Sequence, residues 1–219
     1  MIAFHDVTKY QRGRGPSQLV LNGVSATFHR GQNPAILCDK DREINALARL
    51  LVGSDHPDRG RVTRHGRVSW PMGDMPGAKG QMTVLESLSF VARIYGVHVP
   101  TLIEYVDEFV QLGSKSLSQP ISQLDKNRRL LLPYAIVLSI PFDWYVLVSD
   151  LKLKDDRAAQ LVEGAFEQRL GHANAIIITD DVRCALRYGT IGAVCKKGKF
   201  AVFDTVEEAA DTFLKGFGR

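Results

Sequence analysis

Cysteines and long apolar runs are both scarce in this sequence, and each shortage excludes a class of protein. The chain has three cysteines, Cys38, Cys184 and Cys195, and none belongs to a C-x-x-C pair. Such cysteines are ordinary buried thiols of a reducing compartment, so no disulfide framework is expected. The longest apolar tract, residues 130–142, contains two prolines and is too short to cross a membrane.

The start of the chain lacks the basic region and long apolar run of a signal peptide. The sequence therefore predicts a cytoplasmic protein that reaches the inner face of a membrane only through a partner. Hydrophobic residues make up 45% of the chain, and no linker-like stretch or internal repeat interrupts it. We expect residues 1–219 to form a single domain with a sizeable core.

A strong excess of one charge is also lacking, since the net charge is +4. The first third of the chain is basic, but it has neither interleaved aromatic residues nor a nucleic-acid motif, so no nucleic-acid partner is predicted. A solvated basic face is the simpler interpretation, with an anionic membrane surface or an acidic glycan as the alternative. The arginines of this region are Arg12, Arg14, Arg59, Arg61, Arg64 and Arg67.

Glycine is missing from one turn where its absence matters. Residues 34–38 are an apolar run of strand length, residues 39–43 read Asp-Lys-Asp-Arg-Glu, and residues 44–53 are helix formers that end in glycine. This order is the skeleton of a P-loop, which needs glycines around phosphate, a lysine for the phosphate oxygens and a hydroxyl for Mg²⁺. None of these three groups stands in its expected place.

The charged turn also has the wrong electrostatics for phosphate. A helix N-terminus attracts anions, and here Asp39, Asp41 and Glu43 compete for that position. Asp41 is predicted to be the N-cap of a helix that starts near Arg42, with Glu43 in its first turn. The sequence favours a charged, helix-capping turn over a nucleotide site.

Several short runs, taken in order and spacing, carry a family resemblance that extends over nearly the whole chain. They are FHDVTKY at 4–10, VLNGVS at 20–25, LVGSDHPDRGRV at 51–62, VSWPMG at 68–73, TVLES at 83–87 and FVARIYG at 90–96. These runs resemble the ATP-binding subunits of ABC transporters, most closely those of the capsular polysaccharide exporter type. The sequence S-W-P followed by F-V-A-R-x-Y-G points to the polysaccharide branch.

The resemblance implies an α/β fold of the ABC-type P-loop NTPase kind. This fold has an N-terminal antiparallel β region, a parallel core sheet, and a helical subdomain that would span about residues 83–140. The hydrophobic pattern agrees with this plan. It predicts strands within 2–30, near 66–70, at 144–149 and at 174–179, and helices at 128–139 and 155–170. A hairpin is predicted at 193–203. It is followed by a final helix with the apolar stripe Val206, Ala209, Ala210, Phe213, Leu214 and Phe217.

The resemblance also implies Mg–ATP as cofactor, yet the residues that would handle it are replaced. We therefore expect no cofactor and no ATP turnover. In an alignment with the family, the phosphate lysine falls on Ile44 and the magnesium hydroxyl on Asn45. The Q-loop glutamine falls on Lys79, and the signature motif falls on residues 123–127. The two Walker B carboxylates fall on Val148 and Ser149, and the switch histidine falls on Asp180.

The predicted function is a catalytically inactive ABC ATPase-like subunit associated with capsule export. Its expected partners are the transmembrane subunits of a polysaccharide exporter or an active ATPase subunit, and a homodimer is a further possibility. Two alternatives stay open: an ATP-hydrolysing subunit with an altered site, and a repurposed metal-binding hydrolase.

Four residues are candidates for residual cofactor binding. Tyr10 stands where the family stacks an aromatic ring on adenine, and strand-end packing is the alternative. The other three, Lys40, Asn45 and Lys79, stand at degenerate motif positions.

A Gly-, Pro- and Met-rich segment at residues 70–82 is a candidate partner contact. Its apolar members are Trp70, Met72, Met75 and Met82. The alternative is a loop that covers an edge of the sheet.

Acidic residues follow three of the predicted core strands, where an open α/β sheet has its ligand crevice. They are Asp39 and Asp41, then Asp150, then Asp180 and Asp181. One hypothesis is a rim that holds a divalent cation through oxygen ligands. The alternative is surface ion pairing with Lys40, Arg42 and Lys152.

Overall fold

The computed structural model describes residues 1–11, 17–75, 81–151 and 153–216. The chain divides into two compact units. The sheet unit comprises Met1–Pro71, Phe142–Asp150 and His172–Arg219, and the helical unit comprises Met72–Pro141 and Leu151–Gly171. Among the described residues, no helix has the length and apolar character needed to cross a membrane. The single domain over 1–219 stays a prediction.

The predicted elements occur in the expected order, with further elements between them. The described elements are β1 (Ile2–Gln11), β2 (Gln18–Phe28), β3 (Pro34–Cys38), α1 (Asp41–Val52), β4 (Arg59–Arg64), β5 (Val68–Pro71), α2 (Val84–Tyr95), α3 (Val99–Val110), α4 (Ser114–Leu117), a 3₁₀ turn (Ile121–Gln123), α5 (Lys126–Ser139), β6 (Trp144–Val148), α6 (Asp156–Leu170), β7 (Asn174–Thr179), α7 (Val182–Tyr188), β8 (Ile191–Lys196), β9 (Lys199–Phe203) and α8 (Val206–Lys215).

The N-terminal β region is a three-stranded antiparallel sheet in the order β2-β1-β4. Phe4 pairs with Ala26 on one side and with Val62 on the other. The hydrophobic pattern predicted the first two strands but not β4, whose exposed arginines hide any alternation of apolar and polar residues. Gly60 in β4 has a φ of 78°, a conformation that favours glycine.

The core sheet has the order β5-β6-β7-β3-β8-β9. Strands β5, β6, β7, β3 and β8 run parallel, and β9 returns antiparallel to β8. Ile36 in β3 pairs with Ile178 in β7 and with Ala193 in β8. Because β3 has a neighbour on each side, its five residues are all buried and read as one apolar run. The predicted fold class is confirmed.

Helix α1 packs on this sheet through its apolar face and ends at Gly53 in the left-handed conformation, with φ 78°. The helix begins at Asp41, next to the predicted start near Arg42, but the predicted N-cap is wrong. Asp41 already has helical backbone, so it is not the N-cap. Lys40, with extended φ and ψ, takes that position without a side-chain capping bond.

Helices α2 and α5 of the helical unit begin with side-chain caps. Thr83 and Glu86 form a reciprocal capping box at the start of α2, with bonds of 2.8 and 3.2 Å. Asp125 caps α5, the helix predicted at 128–139, by accepting from Asn127 N at 3.1 Å and from Arg128 N at 3.0 Å. The segment aligned with the family's signature motif therefore starts this helix.

The C-terminal helix α8 buries only part of its predicted stripe. Val206, Ala209 and Ala210 are buried, whereas Leu214 is 71% exposed. At 100° per residue, Leu214 lies at the edge of the face that contains Val206 and Ala210, so its place in the stripe was wrong. Phe217 lies outside the described residues.

Candidate functional site

The start of α1 lies at the carboxyl end of β3, in the position of a phosphate loop. In the core sheet, β7 lies next to β3, and β6 lies next to β7. Asp39, Asp180 and Asp150 follow β3, β7 and β6 in that order, so these acids come after neighbouring strands, as predicted. The turn itself is short. The backbone N–H groups of Glu43 and Ile44 both donate to Lys40 O, at 2.9 and 3.2 Å.

The side chain of Glu43 turns inward and is fully buried in the first turn of α1. Its Oε1 accepts a hydrogen bond from the backbone N–H of Lys197 at 3.0 Å. Burial raises the pKa of Glu43, and the nearby charge of Asp39 raises it further. The residue expected at the exposed start of a helix is instead an internal acid.

Asp39 forms the second carboxylate of this cluster. Its Oδ2 lies 3.1 Å from Lys196 Nζ, and both side chains are mostly buried, at 28% and 19% exposed. Partial burial opposes ionisation of Asp39, but the hydrogen bond and charge of Lys196 outweigh it and lower the pKa of this carboxyl. Asp39 is therefore the stronger acid of the pair.

These residues do not fit the phosphate chain of Mg–ATP at the start of α1. Two acids occupy the end of the helix that would otherwise attract an anion. Ile44, at the position of the phosphate lysine, is 3% exposed and belongs to the hydrophobic core of the sheet unit. Asn45, at the position of the magnesium hydroxyl, is exposed.

A cleft lies along the flank of α1 and brings two of the candidate cofactor residues together. It encloses about 670 Å³, with Tyr10 and Asn45 in its wall. Lys40 is exposed but does not line it, and Lys79 lies outside the described residues. The full lining is Lys9, Tyr10, Gln11, Arg42, Asn45, Ala46, Arg49, Asp55, His56, Pro57 and Asp58.

Tyr10 forms the end of β1 at the mouth of this cleft. Its backbone N–H donates to Asp58 Oδ2 at 2.7 Å, and its side chain is 42% exposed. Because the backbone of Tyr10 is held by this bond and its ring is accessible, the ring could stack on a ligand. Adenine stacking itself stays a prediction.

The acids at the strand ends are held separately. Asp181 caps α7 through a 2.8 Å bond from Arg183 N and also pairs with the Arg183 side chain at 3.4 Å. Over the part of the chain that the structure describes, no three His, Cys, Asp or Glu side chains gather as a metal site would need. The structure thus gives the divalent-cation rim no support.

The ion pair of Asp39 is not with the predicted partner Lys40, although the charge of Lys40 also helps to lower the pKa of Asp39. Asp39 pairs with Lys196, which comes from β8 and was not considered. Arg42 donates to Gln18 Oε1 instead. Lys152 lies outside the described residues. Pairing between distant strands cannot be read from sequence spacing, which explains the error.

The end of β6 carries Val148 and Ser149 where the family has its two carboxylates. Ser149 has φ 64°, an uncommon conformation for a residue with a side chain. Its N–H donates to Ile178 O at 2.8 Å, and its carbonyl accepts from Cys184 Sγ at 3.1 Å. The backbone of this strand end is thereby tied to β7 and α7.

The candidate partner residues at 70–82 divide into buried and partly exposed ones. Trp70 and Met72 are both only 7% exposed, so they are not surface contacts, which corrects that prediction. The Trp70 ring packs edge-on against Phe142, with centroids 5.6 Å apart. Burial of the large apolar Trp70 side chain is more favourable than its exposure to water. Met75 and Met82 are partly exposed and remain candidates.

Three residues that matter to this site were missed in the sequence: Arg49, Lys196 and Lys197. Arg49 could have been found, because it lies four residues after Asn45 and therefore on the same helical face. Lys196 and Lys197 could not, because their contacts with Asp39 and Glu43 cross more than 150 positions of sequence.

Comparison with known proteins supplies close to full-length relatives, although no protein-family model matches the chain. The polysialic acid transport ATP-binding protein KpsT of Escherichia coli is 25% identical over 218 residues, which cover 98% of this chain and 99% of that protein. The capsule polysaccharide export ATP-binding protein CtrD of Neisseria meningitidis serogroup B is 24% identical over 213 residues, covering 97% and 98%. The ATP-binding protein BexA of Haemophilus influenzae is 23% identical over 209 residues, covering 95% and 96%.

Solved structures of ATP-binding proteins from ABC transporters have a fold similar to that of this chain. An ATP-binding subunit of an ABC transporter superposes with a TM-score of 0.73 at 16% identity, over 98% of this chain and 94% of that one. A nucleotide-free ATP-binding cassette superposes with a TM-score of 0.68 at 18% identity, over 99% and 95%. By its homologues and its fold, the chain is a relative of the ATP-binding subunits of capsular polysaccharide ABC exporters.

Proposed function

We propose that this chain is a catalytically inactive relative of the exporter ATPase, which serves a polysaccharide exporter as a structural or regulatory subunit. One observation carries the proposal. The carboxylate of Asp39 and the buried carboxyl group of Glu43, which accepts a hydrogen bond from Lys197 N, together occupy the start of α1. A triphosphate brought to this position would meet repulsion where an active site supplies attraction.

The residues around this cluster support the same conclusion. ATP hydrolysis needs a metal-held triphosphate and a group that positions water. Ile44 lies in the core, Val148 is apolar, and Ser149 has no carboxylate to replace the family's catalytic one. Each step of the reaction therefore lacks a side chain that could perform it.

The relatives support the biological setting of the proposal. KpsT and CtrD are named as ATP-binding proteins of polysialic acid transport and of capsule polysaccharide export. The partners we propose are transmembrane subunits of such an exporter, an active ATPase subunit, or a second copy of this chain. With such a partner, the chain would lie at the inner face of a membrane. Met75 and Met82 are the remaining contact candidates.

The test is an ATPase assay on the purified chain, alone and after reconstitution with candidate exporter membrane subunits. KpsT, assayed in parallel, shows that the conditions support turnover. We expect phosphate release from this chain to stay at the background level in both settings. Mg²⁺-dependent release that falls with Asn45→Ala would overturn the proposal, because Asn45 stands at the position of the magnesium ligand.

A second candidate, an ATP-binding subunit with an altered site, is favoured by the cleft that joins Tyr10 and Asn45. This reading requires the triphosphate to bind without the usual lysine. A rise in melting temperature with Mg–ATP that disappears in Tyr10→Ala would favour it. The other alternative, a repurposed metal-binding hydrolase, has no cluster of ligands within the described ranges.

A further inference from the structure

We propose that the outer face of the N-terminal antiparallel sheet binds an acidic polysaccharide. This outer face is the solvent-facing side of β1, β2 and β4, and its members are His5, Thr27, Arg59, Arg61 and Thr63. It lies on the side of the sheet that is turned away from α1 and the core. The binding does not depend on whether the chain hydrolyses ATP.

Strand β4 divides its side chains between the two sides of the sheet. Val62 packs against the hydrophobic core, and Arg64 donates to backbone carbonyl oxygens near the end of α1. Because side chains alternate along a strand, Arg59, Arg61 and Thr63 extend from the opposite side. Arg59 and Arg61 are both exposed there, and their Cα atoms lie about 7 Å apart along the strand.

The neighbouring strands continue this outer face. His5 is opposite Arg61 in the register of β1 and β4, and its Nε2 lies 3.1 Å from Thr63 Oγ1. Thr27 of β2 and Thr63 of β4 both pair with Ala3, from either side of β1. The outer face therefore combines guanidinium groups, an imidazole and hydroxyl groups.

The outer face carries positive charge that the protein leaves largely unneutralised. The three strands contain one acidic residue, Asp6, and its Oδ2 lies 3.5 Å from Arg59 Nε. Both side chains of this pair are well exposed, so the pair is weak and Arg59 stays accessible. Within the described ranges, Arg61 forms no ion pair. Its guanidinium is available to the carboxylate of a ligand.

The exposed polar surface continues past the ends of β2 and β4. His29 directly follows β2, His65 directly follows β4, and both residues are exposed. The N–H of His65 donates to Met1 O at 2.8 Å, which continues the pairing of β4 with β1. The distance along β4 from Arg59 to His65 is about 20 Å. An elongated surface of this kind suits a polymer better than a single small ligand.

The outer face lacks the apolar groups that hold a protein on a lipid surface. Membrane-binding surfaces insert large apolar side chains below the lipid headgroups. In the described parts of β1, β2 and β4, Tyr10 is the one large apolar side chain that is strongly exposed, and it lines the cleft along α1. The composition of the outer face therefore favours a water-soluble polyanion over an anionic membrane.

The position of β4 at the edge of its sheet favours a polysaccharide over a peptide. An acidic peptide could add to this edge as a further strand, but arginines on an edge strand oppose such pairing. An acidic polysaccharide binds through side chains instead. Its carboxylates pair with Arg59 and Arg61, and its hydroxyl groups exchange hydrogen bonds with Thr27 and Thr63.

The experiment measures binding of the full chain at low salt to four probes. They are polygalacturonate as the acidic polysaccharide, uncharged dextran, polyglutamate as an acidic peptide, and vesicles of phosphatidylcholine and phosphatidylserine. We expect polygalacturonate to bind, dextran not to bind, and the other two to bind at least roughly tenfold more weakly. Raising NaCl from about 20 mM to about 300 mM should weaken polygalacturonate binding roughly tenfold, because salt screens exposed charges.

Variants assign the binding to the outer face. Arg61→Gln should weaken polygalacturonate binding roughly threefold, and the double variant Arg59→Gln with Arg61→Gln roughly tenfold. Arg61→Lys keeps the charge and should retain most of the binding. Arg157→Gln makes the same change at an exposed arginine of α6 in the helical unit, and should leave binding unchanged. Circular dichroism and melting curves establish that every variant folds.

Three results would overturn the inference. They are the absence of polygalacturonate binding, equal binding by the double variant and the parent, and binding of vesicles or polyglutamate as tight as that of polygalacturonate. None of them depends on phosphate release, which decides the proposed function separately. ATP turnover together with polygalacturonate binding would refute the proposed inactivity and leave this surface in place.

Discussion

The Glu43 carboxylate accepts a hydrogen bond from the Lys197 backbone N–H at 3.0 Å, and this bond joins the first turn of α1 to the turn between β8 and β9. Lys197 has φ 52° and is followed by Gly198 with φ 80°, a turn shape that makes its N–H available. A buried acid thus connects two segments of the sheet unit in place of a bound anion.

Glu43→Gln should raise the free energy of unfolding by about 1 kcal/mol at pH 7. The amide oxygen can still accept from Lys197 N, while the buried charge beside Asp39 is removed. Burial raises the pKa of Glu43, so the parent loses stability as the pH rises through that raised value. Below the ordinary pKa of a glutamate, about 4.3, the parent is protonated and the difference should nearly vanish.

Urea unfolding of parent and variant at pH 7, pH 4 and pH 3 measures both effects. Asp39→Asn is the matched comparison, because its carboxyl has a lowered pKa and a partner in Lys196. That variant should lose stability at pH 7, and the loss should shrink as the pH falls through the lowered pKa of Asp39. A destabilised Glu43→Gln at pH 7 would mean that the fold requires the charge.

Restoring the family's lysine at position 44 should unfold the protein and not activate it. Ile44 is 3% exposed within the core, so Ile44→Lys should cost about 3 kcal/mol or more. Asn45→Lys adds the same side chain at the exposed neighbour and should change stability by about 0.5 kcal/mol or less. Chemical denaturation of both variants makes the comparison, and equal stabilities would show that Ile44 is not part of the core.

Gly60 should tolerate no side chain. A Cβ at this position would overlap the backbone carbonyl oxygens of His5 and Asp6 in the paired strand β1, and φ is already 78°. Gly60→Ala should therefore cost about 3 kcal/mol or more. Gly31 has a similar φ of 86° but no atom near the added Cβ, so Gly31→Ala should cost about 1 kcal/mol.

The melting temperatures of the two alanine variants distinguish the cost of the left-handed backbone from the cost of the steric overlap. Both substitutions impose a left-handed conformation on alanine, and only Gly60→Ala adds contact with β1. Similar melting temperatures for the pair would contradict the close approach of β1 and β4 at this point.

The native thiols should resist modification at neutral pH. Burial raises the pKa of Cys184 to about 12, and Cys38 and Cys195 are fully buried in neighbouring strands. A chromogenic disulfide reagent at pH 8 should label none of them in the folded protein and all of them in guanidinium. Leu214→Cys, at a 71% exposed position, is the positive control and should react within minutes.

The sequence predicted most of the secondary structure because local patterns carry that information. Strand β3 is five apolar residues followed by a charged turn, and Gly53 after an apolar-periodic segment marks the end of α1. The errors lie where local signals conflict or are absent. The arginines of β4 obscured a strand, and a single-residue shift in the start of α1 made Asp41 look like a cap.

Exposure was harder to predict than secondary structure. Trp70 and Met72 lie in a segment rich in turn-forming residues, which suggested a surface loop, yet both are buried. In each case the outcome depends on what another part of the chain places beside the residue, and no pattern of neighbours along the sequence contains that information.

The sequence alone determined the α/β class and the family resemblance, because these depend on residue type and spacing, and the resemblance implies that the lysine and carboxylates of ATP chemistry are replaced. Only the tertiary structure decided what replaces them. It paired Asp39 with Lys196, placed Glu43 beneath Lys197, and arranged Arg42 and Arg49 opposite Tyr10. Such contacts depend on strand order and register, since parallel strands bring together residues far apart in the chain.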